Sequence, residues 1–268
     1  MNWGEAILAQ LAARKRVPAR LVIIVAHPDD ETIGLGAQLR RFGDALLIHV
    51  TDGAPRDGQD ARRHGFAALG DYAAARRDEL AAALTAGEAV GVRTAMLRIH
   101  DKEAFLDLAE LSRRLGGWLR RENPVAVLTH AYEGGHPDHD AAAFAVHAAC
   151  RQLDAEDRPA IIEVPLYHAL DGRIVTNVFL PAQTPQFIIR LDEADRRRKR
   201  RMVDCFHTQR ELLSGFELDP ERFRLAPAYD FRAPPHSGTL LYETHSWDIS
   251  GITWRRRAAE ALDALGPD

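Results

Sequence analysis

The chain has 268 residues, 46% of them hydrophobic, with a formal net charge of −4. That length and apolar content suit one large α/β domain and exclude global disorder, while the slight negative charge excludes a general polyanion or nucleic-acid binder. Cys150 and Cys205 lie far apart without CxxC spacing, so a disulfide framework is not expected and a reducing compartment is the default. The first residues, Met1 to Glu5, have neither the basic segment nor the apolar run of a signal peptide, and no apolar stretch reaches the roughly 18 residues of a membrane span. The expectation is a soluble cytoplasmic protein without stable membrane insertion, homo-oligomerisation being left open.

In chain order, residues 2–16 carry a helical face of Ile7, Leu8 and Leu11. Strand-like runs follow at 21–27, 46–51, 94–100 and 125–130, with helical patterns at 32–43, 60–87, 103–122 and 139–152 between and after them. The strands are apolar throughout rather than alternating, as parallel strands covered on both faces are. This order predicts a mostly parallel sheet with helices on both faces. The second half differs. Residues 160–170 and 173–180 are β-like and joined through Asp171-Gly172, a hairpin signal. A short strand is expected at 187–191, a charged helix at 192–213, loops with short elements over 218–252, and a last helix over 254–265. One domain spans 1–268, with a core over about 18–155 and a mixed α/β C-terminal extension over about 156–268 that shapes a cleft.

Two clusters carry the chemistry. Ala26-His27-Pro28-Asp29-Asp30-Glu31 follows the first strand and opens a helix. Tyr132-Glu133-Gly134-Gly135-His136-Pro137-Asp138-His139-Asp140 follows the fourth strand and opens another. Ligands of open α/β sheets bind at that edge. If strands one and four are neighbours, the clusters meet there and offer His27, Asp29, Asp30, Glu31, Glu133, His136, Asp138, His139 and Asp140. Three nitrogen or oxygen ligands suit a hydrolytic zinc site with a position left for water, and two histidines with one carboxylate also suit ferrous iron. Pro28 and Pro137 fit helix starts, and the aspartates fit N-caps. Two His-Pro-Asp tripeptides, each where a strand hands over to a helix, make a metal site the better account.

These motifs resemble the PIG-L/LmbE-like family of metal-dependent N-deacetylases, with matching strand–helix order over about residues 18–215. The resemblance implies a Rossmann-like three-layer fold and removal of N-acetyl groups from small N-acetylglucosamine-type molecules, with zinc or ferrous iron. Carried onto this sequence it implies His27, Asp30 and His139 as metal ligands and Asp29 as general base. His136 would be general acid and oxyanion stabiliser, oriented by Asp138, whose charge would raise the imidazole's pKa, and either His136 or Asp29, once protonated, would return a proton to the leaving amine. Arg76, in an Arg-x-x-Glu pattern with Glu79, is either a substrate contact or a solvated helical pair, with Arg77 as the register alternative. Glu133, beside two glycines, is a substrate or outer-sphere candidate. Asp52 reads rather as a turn cap. The run 196–201 reads as a solvated helix face, His207 as a pocket candidate, and Trp247 and Trp254 as either sugar platforms or core. Rival readings are an amidohydrolase acting on a thiol conjugate or secondary-metabolite precursor, a phosphoesterase, and a metal-dependent binding module.

Overall fold

The apolar runs of the first half fill the middle of one sheet because both of their faces are covered. The computed structural model describes residues 3–245 and 247–266, so residue 2 of the expected first helix and the ends of the 1–268 domain lie outside the described residues. The strands are Val17–Val25 (β1), Phe42–Thr51 (β2), Val92–Ile99 (β3), Ala126–His130 (β4), Ala160–Val164 (β5), Tyr167–Leu170 (β6), Arg173–Thr176 (β7), Gln186–Ile189 (β8) and Glu221–Leu225 (β9). The helices are Trp3–Ala12 (α1), Asp30–Leu35 (α2), Gln59–Arg63 (α3), Leu69–Ala86 (α4), Leu108–Glu122 (α5), Pro137–Arg151 (α6), Glu193–Val203 (α7), Arg210–Leu213 (α8) and Gly251–Leu265 (α9).

The main sheet has the order β3-β2-β1-β4-β5-β9-β8. β1 to β5 run parallel, β9 is antiparallel to β5, and β8 is antiparallel to β9. β6 and β7 form a separate hairpin. One face is packed with Ile7, Leu8, Leu80, Met202 and Phe206, the other with Leu111, Leu115, Phe144 and Trp254. The result is the expected three-layer α/β fold. Chain order reverses between β1, whose successor β2 lies to one side, and β4 on the other. Such a switch point opens a crevice beyond the strands' carboxyl ends, and both His-Pro-Asp clusters sit there.

Several boundaries differ from expectation for identifiable reasons. The helix expected over 32–43 stops at Leu35, and β2 begins at Phe42, because Phe42 and Ala45 pair with Val17 and Leu21 in the core. The helix expected over 60–87 is broken into α3 and α4 around Gly65, which takes φ +80°, a conformation glycine adopts without strain. The run 160–170 divides at Pro165 because Leu166 N and Tyr167 N donate to the Glu133 carboxylate instead of to a strand. The helix expected over 192–213 ends at Val203, where Phe206 turns into the core. β9 lies within a stretch expected to be loop. Its buried positions include the charged Glu221 and Arg224, so the sequence lacks an apolar strand pattern there. The basic run 196–201 is not a wholly solvated face. Lys199 is 1% exposed and donates to Glu221 Oε1 at 2.8 Å and Ile33 O at 2.7 Å, and Arg198 is buried against Asp195.

Candidate active site

The turn after β1 is held in a conformation that few residues adopt. Asp29 has φ 140° and ψ −28°, a positive-φ state that costs a non-glycine residue roughly 1–3 kcal/mol and persists only where its surroundings fix it. Here they do. Asp29 N donates to the buried Glu31 Oε2 at 3.1 Å, and that oxygen also lies 3.0 Å from His49 Nε2. From α4, Arg76 donates to Pro28 O at 2.7 Å, Asp29 Oδ2 at 3.0 Å and Gly53 O at 3.0 Å. Arg76 is therefore not half of a solvated pair with Glu79, which instead accepts from Thr208 N and Oγ1. One Asp29 oxygen is tied to Arg76, and Oδ1 carries no such bond.

β4 brings the second cluster alongside. His27 Nδ1 and His139 Nε2 are 3.2 Å apart, His27 Nδ1 and Asp30 Oδ2 3.4 Å, and His139 Nε2 and Asp30 Oδ1 3.3 Å. Ligand atoms bound at about 2.0–2.2 Å in near-tetrahedral geometry stand about 3.3 Å from one another. The two edges to Asp30 use different oxygens of its carboxylate, Oδ2 towards His27 and Oδ1 towards His139, so the three side chains surround one point at ligand-pair spacing. The groups whose ligand atoms all lie within 4.8 Å of one another are His27 with His136 and His139, His27 with Asp101, His136 and Asp138, and Asp30 with His130 and His139.

The electrostatics favour a cation here. Burial alone would depress His27, yet the Asp101 carboxylate, aided by Asp138 and Asp30, holds its imidazole well above the ordinary value. Burial opposes the ionisation of Asp30, but His139 and His130 keep its carboxyl well below the usual range. Burial raises Asp29 against the opposing pull of Arg76. Carboxylates crowded around imidazoles need a compensating positive charge, which a proton or a metal ion competing with it can supply. His27 Nε2 lies 3.0 Å from Asp101 Oδ1, the carboxylate–histidine arrangement that orients metal ligands. His130 is fully buried, accepts Ala26 N–H at Nε2 (2.9 Å) and stacks on His139 with ring centroids 4.2 Å apart. Burial and the neighbouring His139 pull its pKa down to about 4.

His136 caps the N-terminus of α6, its Nδ1 accepting Asp138 N–H at 3.2 Å. In the neutral ring the proton then resides on Nε2. The expected partnership between the Asp138 side chain and His136 is not what the structure contains. The Asp138 carboxylate accepts Lys102 N at 2.6 Å and Ala104 N at 3.0 Å and lies 3.4 Å from His27 Nε2. The carboxylate near His136 Nε2 is Asp101, at 3.7 Å. Burial and the charge of His27 lower the His136 pKa, the reverse of the expected rise.

These groups open into a cavity of about 500 Å³ that is lined by His27, Asp29, Asp30, Arg76, His136 and His139. Asp138 and Glu133 are not among its lining residues. The expected substrate role of Glu133 is not supported by its position: it is fully buried and its Oε1 accepts Leu166 N at 2.8 Å and Tyr167 N at 3.0 Å, groups that Pro165 leaves without strand partners. The adjacent glycines serve the same turn, Gly134 at φ +74° and Gly135 so close that a Cβ would stand 1.9 Å from Tyr167 O. Asp52 caps its turn through Ala54 N. His207 lies outside the cavity wall and pairs with Arg210. Trp247 lines the cavity, its ring 4.9 Å from His136, whereas Trp254 is core and donates to Pro137 O. Arg77 donates to Ala73 O, away from the cleft. Sequence reasoning missed Asp101 and His130. Their signal was positional, since one follows β3 and the other ends β4 at the same sheet edge.

Known proteins resemble the chain in sequence and in fold. The PIG-L family model, described as GlcNAc-PI de-N-acetylase, matches residues 22–150. A probable N-acetyl-alpha-D-glucosaminyl L-malate deacetylase 2 of Bacillus cereus is 32% identical over 152 residues, covering 54% of this chain and 67% of the relative. A 1D-myo-inositol 2-acetamido-2-deoxy-alpha-D-glucopyranoside deacetylase 1 of Saccharopolyspora erythraea is 27% identical over 195 residues, 62% of each chain. The chain thus spans about two thirds of the length of these relatives. Among solved structures, a deacetylase of the teicoplanin biosynthesis pathway superposes with a TM-score of 0.60 at 22% identity, over 76% of this chain and 96% of that one, a likeness of fold.

Proposed function

The chain belongs to the PIG-L family, and from that membership we propose that it is a metal-dependent N-deacetylase, releasing acetate and a free amine from a small N-acetylglucosamine-type substrate. The observation that carries the reading is the triangle of His27, Asp30 and His139 with edges of 3.2–3.4 Å, beside an aspartate with one uncommitted oxygen. His27, Asp30 and His139 would hold zinc, with ferrous iron as the alternative. When bound, the ion acidifies a water molecule and polarises the acyl carbonyl.

The chain's own groups divide the remaining work. Arg76 fixes Asp29 Oδ2, which leaves Oδ1 to take the proton from the attacking water. His136, its Nδ1 held by Asp138 N–H, presents Nε2–H to the oxyanion that develops on the acyl oxygen. As the carbon–nitrogen bond breaks, Asp29 returns its proton to the amine nitrogen. In this scheme His136 acts as a hydrogen-bond donor, and of the two groups expected to return the proton it is Asp29 that does so. Asp101 orients His27, and the Asp138 side chain braces the 102–104 loop. A buried, preorganised arrangement of this kind suits amide hydrolysis more than binding alone, which needs no base beside the ion.

The test is acetate release from N-acetylglucosamine and a panel of its glycosides by protein stripped of metal and then reconstituted with zinc. Release that returns with zinc supports the reading. Absence of release from every glycoside while the metal is bound would overturn the sugar assignment and favour the family's non-sugar amides.

A further inference from the structure

The cavity has two chemically different ends. Its floor is the charged cluster. Its outer wall, supplied almost entirely by residues after 165, is apolar: Ile174 on β7, Leu212 on α8, Phe216 and Trp247 all face the same space. Ile174 is 61% and Leu212 55% exposed, which leaves large aliphatic side chains in water at the mouth of a cleft, an arrangement that marks a ligand surface when it continues into a functional site. The mouth offers little to an anion. Arg76 is spent on Asp29 and two carbonyls, Lys102 lies over the Trp247 ring with its Nζ 4.9 Å from the centroid, the Asp101 carboxylate is turned to His27 at the floor, and Asp60 lines the same space.

Building on the deacetylase reading above, we infer that the substrate's amine-bearing part carries an uncharged apolar group, alkyl or aryl, seated on Ile174, Leu212 and Phe216. An acetyl group extends only one methyl beyond the carbonyl held at the floor, so the atoms that reach the mouth belong to the amine side. A dicarboxylate in that place would meet Asp60, with Lys102 and the already engaged Arg76 as cations among the described lining residues. Apolar burial at this wall therefore sets specificity, and the charge of the mouth excludes anionic aglycones.

The experiment has a binding arm and a turnover arm. Octyl, methyl and dicarboxylate-bearing glycosides of glucosamine, the deacetylated products, are titrated calorimetrically into the full-length protein and into Leu212→Asp. The octyl glycoside is expected to bind at least about tenfold more tightly than the methyl glycoside, with a negative heat-capacity change, and the dicarboxylate no more tightly than methyl. In Leu212→Asp the octyl-to-methyl ratio is expected to fall towards one. Equal affinities in the unaltered protein, tighter binding of the dicarboxylate, or an undiminished ratio in Leu212→Asp would each overturn the inference. Acetate release from the corresponding N-acetyl glycosides reports separately on the deacetylase reading: release from all three at equal kcat/KM refutes the apolar preference while that reading stands, and release from none refutes the reading.

Discussion

The parts of the molecule on either side of residue 155 solve different problems. From β1 to α6 the chain supplies the proposed metal-binding triangle, Asp29 and His136, all under 9% exposed and held where buried strands hand over to helices. Beyond that point it supplies the cleft wall from a hairpin, a one-turn helix and loops, and leaves Ile174 and Leu212 in water. The difference shows where rigidity is placed. The groups proposed for the chemistry sit at the strand–helix junctions along the sheet edge, and the apolar groups proposed to select the substrate sit on segments that can vary without disturbing it. The two parts are bolted together next to the site: Lys199 of α7 donates to Ile33 O of α2 and to Glu221 of β9, and Glu221 also accepts Ala37 N and Gln38 Nε2.

The comparison can be broken at several points. His139→Ala should have the largest effect, removing one side of the triangle. Metal analysis of the purified variant is expected to find the ion lost and turnover below detection, and full occupancy would refute its role as a ligand. Asp29→Asn, which keeps an oxygen for Arg76, should retain the metal while kcat falls by about 10²- to 10⁴-fold; an unchanged kcat would remove Asp29 from the proton path. Lys199→Met probes the bolt instead of the chemistry. It leaves the buried Glu221 without its cation, and urea unfolding should register a loss of about 3 kcal/mol. A loss within about 0.5 kcal/mol would mean that the two parts are held together elsewhere. Asp101→Asn should have the smallest effect, weakening metal affinity by about 10- to 100-fold through His27, as read by competition with a chelator; unaltered affinity would separate Asp101 from the metal site.

Much of the front part was legible in the sequence. The apolar runs that became β1 and β4 are local, and so is the spacing that puts His27 with Asp30 and His136 with His139 at helix starts. Asp138 was legible as a member of the cluster and misjudged as a partner: its backbone N–H meets His136, while its carboxylate turns to His27 and the 102–104 loop. Of the two roles expected of Glu133, its position suits the outer-sphere one: its Oε1 accepts N–H groups 33 and 34 residues away, on Leu166 and Tyr167 of the cavity wall. β9 was hidden because the positions it buries bear charges whose partners, Lys199 and Glu163, come from other elements.

By itself, then, the sequence determined the layer order, the strand–helix junctions and the identity of the groups that could hold an ion, because each depends on residues close together in the chain. Only the tertiary structure decided that β1 and β4 are neighbours, that Asp101 and His130 join the site, that Arg76 serves Asp29, and that an apolar wall faces the charged floor. Those outcomes depend on which side chains meet across the sheet edge, and the direction of a buried carboxylate is set by the unpaired donors it finds there rather than by its neighbours in sequence.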